Sequence, residues 1–194
     1  MYRIILPLVL AMGLGLGGNA EGLAPSGEPP ASPVILEGAV DPDQQRLVDW
    51  AIGRYVAAGL ELPPVIIAFS PTDGPCDGNP GLFRDHPAAH IDLCPSGPLD
   101  ETAARKTILH ELAHAWTDAF LSADDRREFM ALRGLDVWSG PAAPWELRGT
   151  EHAAEALAWA LFDGELRMVT IADAGPDDLA AAYRRLTGED PPAR

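Results

Sequence analysis

Basic residues are scarce in this chain. Its 194 residues include 14 lysines and arginines against 29 aspartates and glutamates, which gives a formal net charge of −15. Only one of the basic residues, Lys106, is a lysine. Nucleic acids and anionic membrane surfaces are bound through lysine and arginine, so this composition argues against both as partners. It places no restriction on the chemistry of a site.

Cysteine is also rare, with only Cys76 and Cys94 in the sequence. In an exported chain, two cysteines most simply form one disulfide. Closing a loop of this size is worth about 3 kcal/mol on the chain-entropy model. A cysteine nucleophile or a thiolate metal site is the alternative reading of the pair.

Long apolar runs are missing as well. The longest extends from Ile4 to about Gly17, which is too short to span a bilayer comfortably. It follows the single charge of Arg3 and precedes small residues, an order typical of a secretory signal peptide over residues 1–20. We therefore expect a secreted or otherwise extracytoplasmic bacterial protein with no membrane anchor after the signal is removed.

The rest of the chain divides into two parts by composition. Residues 21–38 are rich in proline and glycine and predict a flexible linker. Residues 39–190 have the size of one domain, and we expect that domain to be a monomer. Periodicity and turn signals predict helices near 42–60, 99–120, 123–133, from 150 and from 176, and strands near 65–69 and 89–93.

The segment Thr107–Trp116 contains the pattern H-E-x-x-H within a helical periodicity. His110 and His114 lie one helical turn apart, so both imidazoles can reach one ion from the same side. Zinc suits such a site best, because a tetrahedral centre with three protein ligands keeps a fourth position for water. Glu111 is then beside that water and can act as its general base. Two histidines on an ordinary polar face are the alternative.

A second informative segment follows near residue 150. Glu151 and Glu155 fall one turn apart on one face of the predicted fourth helix, next to apolar core positions. A buried carboxylate without a partner is costly, and a metal together with a ligating histidine would supply the partners. An acid favoured by the dipole of the first helical turn is the alternative reading of Glu151, and an ordinary surface acid is that of Glu155.

Together these two motifs resemble those of the gluzincin branch of the zincin metallopeptidases, particularly its small, secreted bacterial members. The resemblance covers residues 99–162 and implies that Glu151 is the third zinc ligand. It also implies that Glu155 orients the outer nitrogen of a ligand histidine. The implied fold is α+β and zincin-like, with about five helices and a small sheet beside the H-E-x-x-H helix. Such enzymes bind a peptide or protein substrate along an edge strand, which we expect at 89–93.

The sequence departs from the gluzincin pattern at two points. Thr150 stands where thermolysin-like enzymes have an asparagine, and no histidine follows His152 to stabilise the oxyanion of the reaction. Tyr183, Arg148 and His152 itself are the candidates for that role. Two further histidines, at 86 and 90, are expected to be solvated polar residues rather than ligands.

The expected function is therefore a secreted zinc metallopeptidase in which Glu111 is the general base on a zinc-bound water. A catalytically silent, secreted zinc-binding or scaffold module is the alternative, and a structural protein without metal is a third reading. Nucleophile elbows of the G-x-S-x-G type and glycine-rich phosphate loops are absent from the sequence.

Overall fold

The apolar, β-branched run Val65–Phe69 forms a strand at the centre of a four-stranded sheet. The computed structural model describes residues 33–71, 73–95, 100–168 and 170–193. The predicted signal peptide and residues 21–32 of the predicted linker lie outside these ranges. The elements are β1 (Val34–Glu37), α1 (Pro42–Ala57), β2 (Val65–Phe69), β3 (Gly81–Arg84), β4 (His90–Leu93), α2 (Glu101–Phe120), α3 (Ala123–Arg133), a 3₁₀ turn (Trp145–Leu147), α4 (Gly149–Leu161) and α5 (Pro176–Thr187).

The described residues thus form an α+β fold with five helices and a small sheet beside α2, as predicted. The strand order is β1-β2-β4-β3, with β1, β2 and β4 parallel and β3 antiparallel to β4. The expectation that residues 89–93 form the edge strand is wrong, because β4 lies between β2 and β3. The edge next to the motif helix is β3, in a stretch for which the sequence predicted no strand.

The end of the predicted linker also needs correction. Val34–Glu37 pairs in parallel with β2, and the N–H of Val65 donates to the carbonyl of Pro33 at 3.0 Å. Four residues inside a proline-rich and glycine-rich region give too short a pattern to identify as a strand. The pairing with a buried strand, rather than local propensity, makes this segment regular.

The helices begin and end close to their predicted positions because their caps are visible in the sequence. Asp41 and Ser122 each accept backbone N–H bonds in capping boxes at the starts of α1 and α3. Gly134 ends α3 in the left-handed region at φ 65°. In the described part of the chain, no helix combines the length and apolarity needed to cross a membrane.

Helices α2 and α4 pack directly against each other, and this contact carries the candidate site. Apart from Thr150, every residue of α4 is buried, and many of these residues are alanines that allow close approach of the two helices. From α2, Leu109 and Leu112 enter the same core, whereas Phe120 at the end of the helix is 47% exposed. The buried alanines are Ala153, Ala154, Ala156, Ala158 and Ala160.

The two cysteines form the predicted disulfide. The Sγ atoms of Cys76 and Cys94 are bonded at 2.06 Å, and both residues are buried. The N–H of Cys94 also donates to the carbonyl of Pro80 at 2.8 Å. The bridge therefore ties the segment that leads into β3 to the end of β4.

Candidate metal centre

His110, His114 and Glu151 meet between α2 and α4. The Nε2 atoms of the two histidines are 3.1 Å apart, and Glu151 Oε2 lies 3.2 Å from the first and 3.3 Å from the second. The two imidazoles come from successive turns of α2, and the carboxylate comes from the first turn of α4. These three side chains could hold one metal ion.

The spacing of the three donor atoms fits a small tetrahedral ion. Zinc binds imidazole nitrogen and carboxylate oxygen at about 2.0–2.2 Å, which separates neighbouring ligand atoms by about 3.3–3.6 Å in a tetrahedron. The observed separations of 3.1 to 3.3 Å are close to that range. Two histidines and one glutamate also leave one corner of the tetrahedron free.

Glu155 holds the outer side of the first histidine. Its Oε1 lies 3.2 Å from Nδ1 of His110 and 3.2 Å from Nζ of Lys106. An imidazole that donates Nδ1–H to a carboxylate presents its Nε2 lone pair to an ion. Within the described residues, the Nδ1 atom of His114 has no such partner, and its ring stacks on Phe83 at 6.2 Å between centroids.

The charges around the cluster favour a cation. Burial alone would lower the pKa of His110, but its hydrogen bonds to Glu151 and Glu155 and the charge of Glu111 raise it to about 9. Burial would raise the pKa of Glu151, but hydrogen bonds from His110 and His114 lower it to about 2. An environment that stabilises positive charge so strongly suits a bound metal ion, which takes the place of the imidazole proton.

Glu111 is buried beside the cluster and contacts the edge strand. Burial raises the pKa of its carboxyl group, although the charges of His110 and His114 and a hydrogen bond from the N–H of Phe83 act in the opposite direction. Its side chain also packs against Gly81. A Cβ built at Gly81 would lie 2.7 Å from both Cγ and Oε1 of Glu111.

We expect Gly81→Ala to destabilise the fold by about 1–3 kcal/mol, because the added methyl group overpacks this contact. The same Cβ would lie 2.8 Å from a methyl group of Thr107, so the added methyl group would clash with two different side chains. The free energy of unfolding, measured with urea, checks this expectation. Gly53→Ala is the matched control, because it adds a methyl group in helix α1 with no atom within 4 Å. Equal stability of Gly81→Ala and wild type would show that β3 does not contact Glu111 in this way.

A second prediction concerns Glu155. We expect Glu155→Gln to weaken zinc binding about 10- to 100-fold, because the amide orients His110 less strongly and leaves Lys106 without its counter-ion. A zinc titration of the metal-free protein against a chelating indicator gives the affinity. The control is Glu165→Gln, which changes an exposed acid in the same way and should bind zinc like wild type. An unchanged zinc affinity for Glu155→Gln would show that Glu155 does not orient His110 for zinc binding.

The cluster lies in a cavity of about 520 Å³ with aromatic walls. The ring of Trp145 stacks on His110 at 6.0 Å, and Phe83 covers His114 from the other side. Residues of β3, of α2, of the 135–148 segment and of α4 line this cavity. Its volume is within the range of about 300–1,000 Å³ that is typical of ligand pockets.

His152 has a supporting position that the sequence did not indicate. Its Nε2–H donates to the carbonyl of Glu146 at 2.8 Å, and its Nδ1 accepts from Arg133 at 3.3 Å. Burial lowers the pKa of His152, in keeping with this neutral form. The bond to Glu146 anchors the 3₁₀ turn that carries Trp145. Helical periodicity gave one signal of this position. Because His152 directly follows Glu151, it is rotated by about 100° around the helix and faces away from the ligand group.

The structure separates the remaining candidates from the cluster. Tyr183 is fully buried in the core and does not line the cavity, and His152 does not line it either. Of the three oxyanion candidates, only Arg148 lines the cavity. His86 is exposed, and His90 lies 3.8 Å from the carboxylates of Glu37 and Asp92, away from the ligand group.

Comparison with models of known families, with curated proteins and with solved structures finds no match to this chain.

Proposed function

We propose that this protein is a zinc-dependent peptidase that hydrolyses peptide bonds. The observation that supports the proposal most is the meeting of His110, His114 and Glu151 with a fourth side chain, Glu111, buried beside them. Two imidazoles and one carboxylate with a free corner are a donor set of catalytic zinc sites. Zinc, when bound, polarises the substrate carbonyl and makes water more acidic.

The chain's own residues supply the proton transfers. Glu111 accepts a proton from the attacking water at a carboxylate oxygen and then donates it to the leaving amine. Its burial beside β3 raises the pKa of the carboxyl group, which makes the carboxylate a stronger base than an exposed glutamate. Glu155 and Lys106 keep His110 in a fixed orientation during this exchange.

The substrate is proposed to bind along β3. This strand pairs with β4 on one side, lines the cavity and contacts Glu111 through Phe83. An extended peptide can add to such an edge through backbone hydrogen bonds, which recognises a peptide largely independently of its sequence. This assignment replaces the edge strand expected at 89–93.

Export is part of the proposal. The sequence of residues 1–20 has the order of a secretory signal, and the disulfide between Cys76 and Cys94 fits an oxidising compartment. A secreted enzyme would meet peptides outside the cytoplasm, in keeping with the broad recognition expected from backbone pairing.

The proposal is tested by cleavage of a pool of fluorescence-quenched peptides. We expect hydrolysis by the purified protein, loss of hydrolysis after zinc is removed with a chelator, and recovery when one equivalent of zinc is returned. Hydrolysis that continues after complete removal of metal would contradict the proposal.

A catalytically silent zinc-binding module is the second candidate. It is favoured by the cavity lining, in which the two motif histidines are the only histidines and no tyrosine is found among the described residues. Stoichiometric zinc without cleavage of any peptide in the pool would support this candidate, and no stoichiometric zinc would favour a structural protein.

A further inference from the structure

Arg148 is a positive charge in the cavity that has no acidic partner. Its Nε donates to the carbonyl of Ala143 at 2.9 Å, which fixes the side chain. Among the described residues, no carboxylate lies within the 4.0 Å of an ion pair with Arg148. The other cation of the cavity lining, Lys106, is paired with Glu155 at 3.2 Å. Among the described residues, Arg148 is therefore the lysine or arginine of the cavity lining that has no carboxylate partner.

Four of the eleven described arginines, Arg54, Arg133, Arg148 and Arg167, make no ion pair with a described carboxylate, and of these only Arg148 lines the cavity. Acids outnumber lysines and arginines by 29 to 14, and most described arginines have a carboxylate neighbour. An arginine that stays unpaired under these conditions, and that lines a cavity, is available for an anion from outside the chain. The arginines with ion pairs are Arg46, Arg84, Arg105, Arg126, Arg127, Arg184 and Arg185.

Two hydroxyl groups line the same cavity as this arginine. The N–H groups of Gly149 and Thr150 donate to the carbonyls of Val137 and Trp138, each at 2.9 Å. These bonds hold the segment that ends at Ser139 against the start of α4. Ser139 and Thr150 both line the cavity, and in the part of the chain that the structure describes neither side chain makes a hydrogen bond.

We propose that Arg148, with Ser139 and Thr150, binds a carboxylate of the substrate. A guanidinium and two hydroxyl donors match the two oxygens of a carboxylate in charge and in hydrogen-bonding capacity. Arg148 and Glu151 line the same cavity, so a carboxylate bound by Arg148 would share that cavity with the reacting centre. The inference rests on the proposed peptidase function and specifies it. The substrates are peptides with a carboxylate close to the cleaved bond, supplied either by the free C-terminus or by an acidic side chain.

The test uses three blocked peptides bound to the Glu111→Gln protein, in which cleavage of a bound peptide is expected to be much slower than in wild type. They are acetyl-Ala-Ala, its C-terminal amide, and acetyl-Glu-Ala amide. Calorimetric titration should show that at least one of the two acidic peptides binds about 10- to 100-fold more tightly than the neutral amide. A preference for the first acid identifies the C-terminus as the source of the carboxylate, and a preference for the second identifies a side chain.

The added variant Arg148→Gln should remove this preference by weakening the binding of the acidic peptides much more than the binding of the neutral amide. Arg46→Gln is the matched control, because it removes the same charge from an exposed position in helix α1. This variant should retain the preference for acidic peptides. Arg148→Lys is the substitute variant if Arg148→Gln does not fold. It keeps the positive charge but lacks the planar guanidinium fork, so it should retain a smaller preference for the acidic peptides. Equal binding of acidic and neutral peptides, or a preference that survives in Arg148→Gln, would overturn the proposal.

Turnover separates this inference from the proposed function. If the wild-type protein cleaves acidic and neutral peptides with equal kcat/KM, the carboxylate site is wrong and the peptidase function stands. If no peptide is cleaved but acidic peptides bind in an Arg148-dependent way, the site stands and the peptidase function fails. If Arg148→Gln lowers kcat equally for both kinds of peptide without changing KM, Arg148 acts on the reacting carbonyl and the carboxylate site is wrong.

Discussion

Replacing Glu111 with glutamine is expected to lower kcat for peptide hydrolysis about 10²- to 10⁴-fold. The amide is nearly the same size as the carboxylate but cannot accept the proton of the attacking water. Because Glu111 is not one of the three clustered donors, zinc content should remain that of wild type. Initial rates and metal analysis on the same preparation check both parts of this expectation.

The control for this variant is Glu61→Gln, which neutralises an exposed acid outside the cavity and should keep wild-type kcat. Retention of kcat by Glu111→Gln, with zinc bound, would mean that another group activates the water. Loss of zinc together with loss of activity would instead show that Glu111 supports the metal site rather than the proton transfer.

Removing the carboxylate contributed by α4 is expected to have the largest effect on metal binding. We expect Glu151→Ala to weaken zinc binding more than about 100-fold, since loss of a group that only orients a ligand already costs about 10- to 100-fold. The variant also leaves His110 and His114 without the carboxylate that lies 3.2 and 3.3 Å from their Nε2 atoms. Competition with a chelating indicator gives the affinity, and circular dichroism shows whether the helices remain.

Glu146→Ala is the matched control for Glu151→Ala. It removes an exposed acid from the 3₁₀ turn beside the cavity, and its backbone carbonyl can still accept from His152. We expect this control to bind zinc as wild type does. Similar zinc affinity for Glu151→Ala and wild type would show that the third ligand lies elsewhere.

The helices and the central parts of the site could be predicted because their signals are local. The spacing of His110 and His114 depends only on helical geometry, and the same is true of Glu151 and Glu155. That the two pairs meet depends on the packing of α2 against α4. Glu151 and Glu155 lie on an otherwise apolar helix, and buried carboxylates require partners in the core. This requirement predicted their contact with the histidines of α2.

The edge strand and the linker boundary could not be predicted, because both depend on distant partners. β3 has four residues in a region of prolines and glycines, and it becomes a strand through its pairing with β4. β1 is equally short and depends on β2. Since a strand's position within a sheet is not encoded in its own residues, β4 was mistaken for the edge.

The positions of Arg148 and His152 were also hidden from the sequence. Both were weighed as groups that stabilise the oxyanion, but their surroundings depend on the folding of the 135–148 segment. His152 bonds to Arg133, 19 residues earlier, and to the backbone of Glu146. Arg148 lines the cavity, and its Nε donates to the carbonyl of Ala143 within the 135–148 segment.

The central claim is that one zinc ion binds between α2 and α4, and X-ray absorption at the zinc edge tests it most directly. Purified protein should contain one zinc per chain, with two imidazole nitrogens and light-atom oxygens at about 2.0–2.2 Å and no sulfur. His114→Ala should lose that signal. A protein that binds no stoichiometric zinc, or whose zinc spectrum is unchanged in His114→Ala, would contradict the account.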